Sequence, residues 1–180
     1  MKQILLSLIL FISVPFYAQN SKTMNTLDNK PISGFELDRY LGTWYEIARF
    51  PHAFEKNLEG VTATYSMKEN GMVKVENAGY KNSLDGTFKT ATGKAKFGSD
   101  PSIGHLKVSF FLFFYGDYFI MDMDKENYQW ALVGGSTPDY LWILSRTPQI
   151  DEEFYQELLE RLRKRGYDLT KLHKVQQPAK

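Results

Sequence analysis

The sequence predicts an all-β fold: an eight-stranded antiparallel up-and-down β-barrel with one C-terminal α-helix packed on the outside. Three observations carry this expectation. From Gly42 onward, short runs rich in Val, Ile, Tyr, Phe and Thr recur, separated by Gly, Asn and Asp. No helix separates these runs, so consecutive strands pair as an antiparallel meander. Eight such strands can close on themselves, which removes the exposed edges of an open sheet.

Lys2 precedes an apolar run from Ile4 to Val14, then Pro15 and a small residue at Ala18, the layout of a secretory signal. The run is shorter than the roughly 20 residues that cross a bilayer. Residues 1–18 are therefore expected to be a signal peptide, 19–34 a flexible N-terminal arm, and 35–180 the barrel domain. Strands are expected near 43–50, 60–67, 72–80, 86–97, 105–111, 117–123, 128–134 and 139–146. Turn signals fall between them at Glu69-Asn70-Gly71, Asp85-Gly86, Ser99-Asp100-Pro101, Asp124 to Asn127 and Gly134-Gly135. The helix starts at an Asp151 N-cap, with Glu152 and Glu153 at the positive end of its dipole. Phe154, Tyr155, Leu158, Leu159 and Leu162 make one apolar stripe, and Arg163, Lys164, Arg165 and Gly166 end it. A short run from Lys171 to Gln176 can add a last strand.

Composition limits the function. The chain has no cysteine, so it forms no disulfide, thiolate metal site or cysteine nucleophile. Removal of Lys2 with the signal leaves as many basic residues as the 21 acidic ones, which lacks the electrostatic footprint of a nucleic-acid binder. Aromatic residues make up 15% of the chain, enough to fill a large core or to line an apolar pocket.

Gly42-Thr43-Trp44-Tyr45-Glu46-Ile47-Ala48-Arg49 resembles the first signature of the lipocalins, Gly-x-Trp at the start of the first barrel strand. Tyr140-Leu141-Trp142-Ile143-Leu144-Ser145-Arg146 resembles their third, whose arginine ends the eighth strand. The resemblance implies that Gly42, Trp44 and Arg146 are structural, with Arg146 packed over Trp44 to plug the closed end. The stretches Leu41–Arg49, Val61–Ser66, Lys107–Phe111 and Asp139–Pro148 are most similar to bacterial outer-membrane lipocalins and their apolipoprotein-D-like relatives. This likeness runs from about Gly34 to Pro178. The chain departs from the pattern twice. The middle Thr-Asp-Tyr signature reads Met123-Asp124-Lys125, and the cysteine that anchors bacterial members to lipid is absent, so an exported but unanchored protein is expected, periplasmic or secreted and at most associated with the outer membrane.

Strand parity then predicts a cavity. Successive side chains face opposite sides of a strand, so one fixed residue orients its strand. With Trp44 inward, Glu46, Ala48 and Phe50 are expected inward as well. Arg146 at the closed end sets Leu144, Trp142 and Tyr140 on the inner face. Lys107 and Ser109 are expected to face water, leaving Leu106, Val108 and Phe110 inside. Alternation with Lys94 and Lys96 turns Ala91, Gly93, Ala95 and Phe97 inward, and Val61, Ala63, Tyr65, Tyr118 and Ile120 complete the ring. So many small residues cannot fill an eight-stranded barrel, which can hold one small ligand. The candidate ligand-binding set is Glu46, Ala48, Ala63, Tyr65, Ala95, Val108, Phe110, Tyr118, Tyr140 and Trp142. An apolar void with few polar groups suits an acyl chain. At about 0.8 kcal/mol per methylene, about eight to ten methylenes give micromolar-scale affinity after association costs. A fatty acid or lysophospholipid is the expected partner; Glu46 either makes a hydrogen bond within the barrel wall or meets the ligand headgroup, a cationic one included, and no other residue points to the head.

The run Phe110 to Tyr115 is expected as a loop at the open mouth, where Phe111, Leu112, Phe113, Phe114 and Tyr115 would contact a membrane or partner. No enzyme constellation assembles: His52, His105 and His173 lack metal-ligand spacing, and no Gly-x-Ser-x-Gly elbow or phosphate loop is present. The reading calls for no catalysis, cofactor or metal. Its competitors are a haem or other cofactor carrier using His105 or His52, and a partner-binding module or homodimer using the aromatic loop.

Overall fold

The computed structural model describes residues 26–179. The expected signal peptide, its cleavage point and the first part of the arm lie outside them. Eight antiparallel strands form the wall: β1 (Gly42–Arg49), β2 (Leu58–Met67), β3 (Val73–Lys81), β4 (Phe88–Phe97), β5 (His105–Phe111), β6 (Phe114–Met123), β7 (Trp130–Gly134) and β8 (Leu141–Ser145). Each pairs with its sequence neighbour, and β1 pairs with both β8 and β2, which closes the barrel. A one-turn helix α1 (Leu37–Tyr40) precedes β1, helix α2 (Glu152–Lys164) follows β8, and a two-residue β9 (His173–Lys174) pairs with β1. The expected last strand is thus this short edge.

Two apolar layers hold the fold. Inside the barrel, Tyr40, Trp44, Tyr65, Leu106, Ile120 and Leu144 pack together. Outside it, Tyr155, Leu158, Leu159 and Leu162 of α2 cover Ile47, Leu132, Leu141 and Ile143. Asp151 caps that helix, its carboxylate accepting from the backbone N–H groups of Glu153 and Phe154, as its position before the apolar stripe predicts.

The structure corrects four points. Residues 26–34, expected as a loose arm, are tied to the barrel. Asp28 and Ile32 donate backbone hydrogen bonds to Arg165 and Ile120, and Ser33 bridges Ile103. The run Phe110–Tyr115 is mostly strand: β5 and β6 meet in a two-residue turn at Leu112 and Phe113, with Leu112 at φ +47°. Its unbroken aromatic character hides the alternation that would otherwise mark strand ends. Ser109 is buried rather than facing water, because the β5–β6 register shifts between Val108 and Phe111. Finally, a β-bulge between Glu46 and Ala48 reverses the parity of β1. Ala48 and Phe50, expected in the cavity, lie in the outer layer beneath α2, and Arg49 turns inward instead.

Candidate functional site

The closed end is built as the signatures imply. Arg146 stacks over Trp44, its guanidinium carbon 3.8 Å from the ring centre, and donates to the carbonyls of Thr43, Arg39 and Tyr128 at 3.0, 2.8 and 3.2 Å. Gly42 sits at φ +95°, where glycine is favoured, and a Cβ there would lie 3.3 Å from the Arg146 guanidinium. Trp44 donates from its indole to the Tyr40 carbonyl at 2.8 Å. Above this plug, Tyr40 and Tyr65 each hydrogen-bond the Tyr118 hydroxyl, at 2.8 and 2.9 Å. Burial raises all three phenols above their ordinary range, so the floor is neutral and satisfied by its own hydroxyls.

Over that floor lies a chamber of about 250 Å³ open at the other end. Of the ten candidate ligand-binding residues it is lined by eight: Glu46, Ala63, Tyr65, Val108, Phe110, Tyr118, Tyr140 and Trp142. Ala95 faces inward but is enclosed in the core below, and the β1 bulge puts Ala48 outside the barrel. Part of the space left by the small residues is already occupied: a Cβ on Gly93 would lie 2.9 Å from the Phe110 ring.

The wall also holds a charged cluster of which the sequence pattern points only to Glu46. The bulge brings Arg49 inside, where it pairs with Glu46 at 3.2 Å and donates to the carbonyls of Glu55 and Leu58. Glu55 comes from a 3₁₀ turn, Ala53–Glu55, that crosses the mouth between β1 and β2. Its carboxylate accepts from Asn77 at 3.1 Å and from the Trp142 indole at 3.2 Å, so it joins the loop to β3 and β8. Glu46, Arg49 and Glu55 are each 3% exposed or less. Burial, and then the charge of Glu55, pushes the Glu46 carboxyl well above the usual carboxylate range, and burial raises Glu55 too. With one guanidinium facing two carboxyls that resist ionisation, the cluster stays near neutral. Sequence periodicity could not reveal it, because residues 46 and 49 fall on opposite faces of a regular strand.

Neither candidate cofactor histidine is presented to the chamber as a free ligand. His105 points outward and pairs with Asp117 at 2.9 Å, beside Lys107. His52 stacks on Phe54 at 4.0 Å between ring centres, and burial followed by the Arg49 charge lowers its pKa to about 4. Its Nε2 approaches Glu55 at 3.2 Å without the alignment of a hydrogen bond. Among the described residues, no group of three His, Asp or Glu side chains is arranged to hold a metal.

The rim is apolar. Phe111, Leu112, Phe113 and Phe114 are 67, 60, 85 and 75% exposed, and Phe54 and Phe88 are exposed at the same end. Tyr115 lies beneath the Lys96 and Lys94 ammonium groups, at 4.7 and 5.7 Å.

A family model described as a lipocalin-like domain matches residues 35–177. The chain belongs to the lipocalin family. It is 51% identical over 147 residues to the outer membrane lipoprotein Blc of Escherichia coli, covering 82% of each chain. It is 37% identical over 146 residues to mouse apolipoprotein D, covering 77% of this chain and 75% of that one. Among solved structures, insecticyanin from the tobacco hornworm Manduca sexta superposes with a TM-score of 0.66 at 20% identity, covering 85% of this chain and 86% of that one. This last likeness concerns the fold alone. The open chamber and the lipocalin family to which the chain belongs support binding of a small hydrophobic ligand.

Proposed function

We propose that this lipocalin binds, stores or carries one fatty-acyl amphiphile, a fatty acid or lysophospholipid, for lipid maintenance at the cell envelope, without catalysis. The observation that carries the reading is the chamber itself: apolar walls of Ala63, Val108, Phe110 and Trp142 above a self-satisfied tyrosine floor, opening through a rim of exposed aromatics. Such a space rewards burial of methylenes and offers only the Glu46–Arg49–Glu55 cluster to a polar group. The aromatic rim supports peripheral contact with a membrane from which the lipid is taken. The naming of the bacterial relative as an outer membrane lipoprotein supports an envelope location. This sequence has no thiol for a thioether-linked lipid, which supports an unanchored, periplasmic or secreted form.

Native mass spectrometry of the protein from its source, joined to titration of Trp142 fluorescence with fatty acids and lysophospholipids, tests the reading. Co-purified single-chain lipid and saturable quenching are expected. Empty protein whose fluorescence stays flat would overturn it and leave the aromatic rim as a protein interface, which sedimentation at several concentrations would then detect.

A further inference from the structure

The space inside the barrel is divided. Beside the Trp142 chamber lies a second one of about 230 Å³, bounded by Leu58 and Val61 on β2, Ala78 on β3 and Ala91 on β4. Phe54, Glu55, Asn77 and Phe110 line both, so the 3₁₀ turn and its hydrogen bond to Asn77 form the partition. The two chambers differ in charge. The ionisable side chains turned into the first are the carboxyls of Glu46 and Glu55, since Asp117 faces outward to Lys107 and His105. The second adds two cations, Lys56 and Lys89. They come from opposite sides of its mouth: Lys56 directly follows the partition, and Lys89 shares the inward parity of Ala91 and Ala95 at the open end of β4.

We propose that this second chamber holds the negatively charged head, a carboxylate or a phosphate ester, of a single-chain amphiphile whose tail crosses the partition into the Trp142 chamber. The proposal rests on the lipid-binding reading above and adds the orientation and head chemistry of the ligand. Arg49, the cation nearest the first chamber, is already committed to Glu46 and to the carbonyls of Glu55 and Leu58, so that chamber offers an anionic head no free cation, and its apolar walls suit the tail. Lys56 and Lys89 are both exposed, so each can lay its apolar stem on the chamber wall and keep its ammonium hydrated at the mouth, meeting an anion without burying it. Size agrees: each chamber alone falls short of the roughly 300 Å³ at which ligand pockets begin, whereas the two joined exceed it.

Lys56→Gln combined with Lys89→Gln tests the assignment, because neither side chain has an ion-pair partner among the described residues and both are exposed. The probes are 9,10-dibromostearate and its uncharged monoacylglycerol at pH 8, whose bromines quench Trp142 when the tail is seated, with lysophosphatidate as a competitor for the phosphate case. The double variant is expected to bind dibromostearate about tenfold or more weakly and the neutral ester within about twofold of the parent. Displacement by whichever anionic head the site accepts should weaken in parallel. Equal losses for charged and neutral probes, or no loss for either anion, would overturn the head subsite while leaving lipid binding intact. Parent protein that neither probe quenches would overturn the lipid reading and the subsite with it.

Discussion

Two residues of this lipocalin show how burial sets a side chain's role. Arg146 sits at the closed end, where its guanidinium covers the Trp44 face and satisfies three main-chain carbonyls. Removing it strands those acceptors and the indole face together. Arg146→Ala is therefore expected to cost about 2 kcal/mol in denaturant unfolding, with ligand affinity per folded molecule nearly unchanged, since the chamber opens at the other end. Stability unaltered and binding abolished would make it a ligand residue instead. His52 behaves differently. An ordinary imidazole takes up a proton below pH 6.5, whereas the folded protein holds His52 neutral down to about 4. The unfolded chain thus gains a proton that the native one refuses, and this residue's contribution to stability falls as pH drops from 6.5 towards 4, by roughly 1–3 kcal/mol. The raised carboxyls of Glu46 and Glu55 act in the opposite direction, binding protons more tightly when folded. His52→Phe keeps the stack on Phe54 and should remove the acid loss. Stability measured at pH 6.5 and 4.5 is expected to fall further in the parent than in the variant, and equal slopes would remove His52 from the account.

At the scale of elements, regular segments follow their sequence and irregular ones follow their neighbours. Helix α2 is legible residue by residue: an aspartate cap, glutamates in the first turn, an apolar stripe that is buried on β1, β7 and β8, and Gly166 at φ +88° beyond its end. Asp151→Ala should remove two charge-assisted hydrogen bonds from the first turn and lower stability by about 1 kcal/mol, seen as a fall of a few degrees in Tm. Strand β1 is only half legible. Its first residues obey the parity set by Trp44, but the bulge after Glu46 inserts one residue that no alternation announces. That single insertion moves Ala48 out of the cavity, brings Arg49 in and creates the buried cluster with Glu46 and Glu55.

For the whole molecule, the decisive feature is that the plug and the mouth lie at opposite ends of one barrel. Even–odd strand order puts α1, Trp44 and Arg146 at one end and the β5–β6 turn at the other, with Phe54 and Phe88 beside it. Apolar exposure is therefore concentrated where a ligand must enter. Phe113→Ser combined with Phe114→Ser should slow uptake of a fluorescent fatty acid from vesicles several-fold and spare affinity for a short-chain monomeric lipid. Stopped-flow transfer and equilibrium titration separate these, and equal losses in both would place the two rings in the ligand site itself. Narrowing the chamber acts on affinity instead. Ala63→Phe, at its wall, should weaken acyl binding more than tenfold, a loss exceeding about 1.4 kcal/mol. Ala95→Trp, by contrast, would overpack the closed core around Leu106 and Ile120 and lower stability.

The barrel, its closed end and most of the chamber wall are legible in local sequence patterns. Alternation, turn residues and the Gly42–Trp44 and Arg146 signatures are local patterns, and local patterns fix which way a regular strand faces. Where that regularity breaks, contacts across the fold set what occupies each position. The β1 bulge, the 3₁₀ turn that carries Glu55 across the mouth, and the partition it makes with Asn77 depend on contacts between segments far apart in the chain. Their stability lies in long-range hydrogen bonds and close packing, which no window of sequence contains.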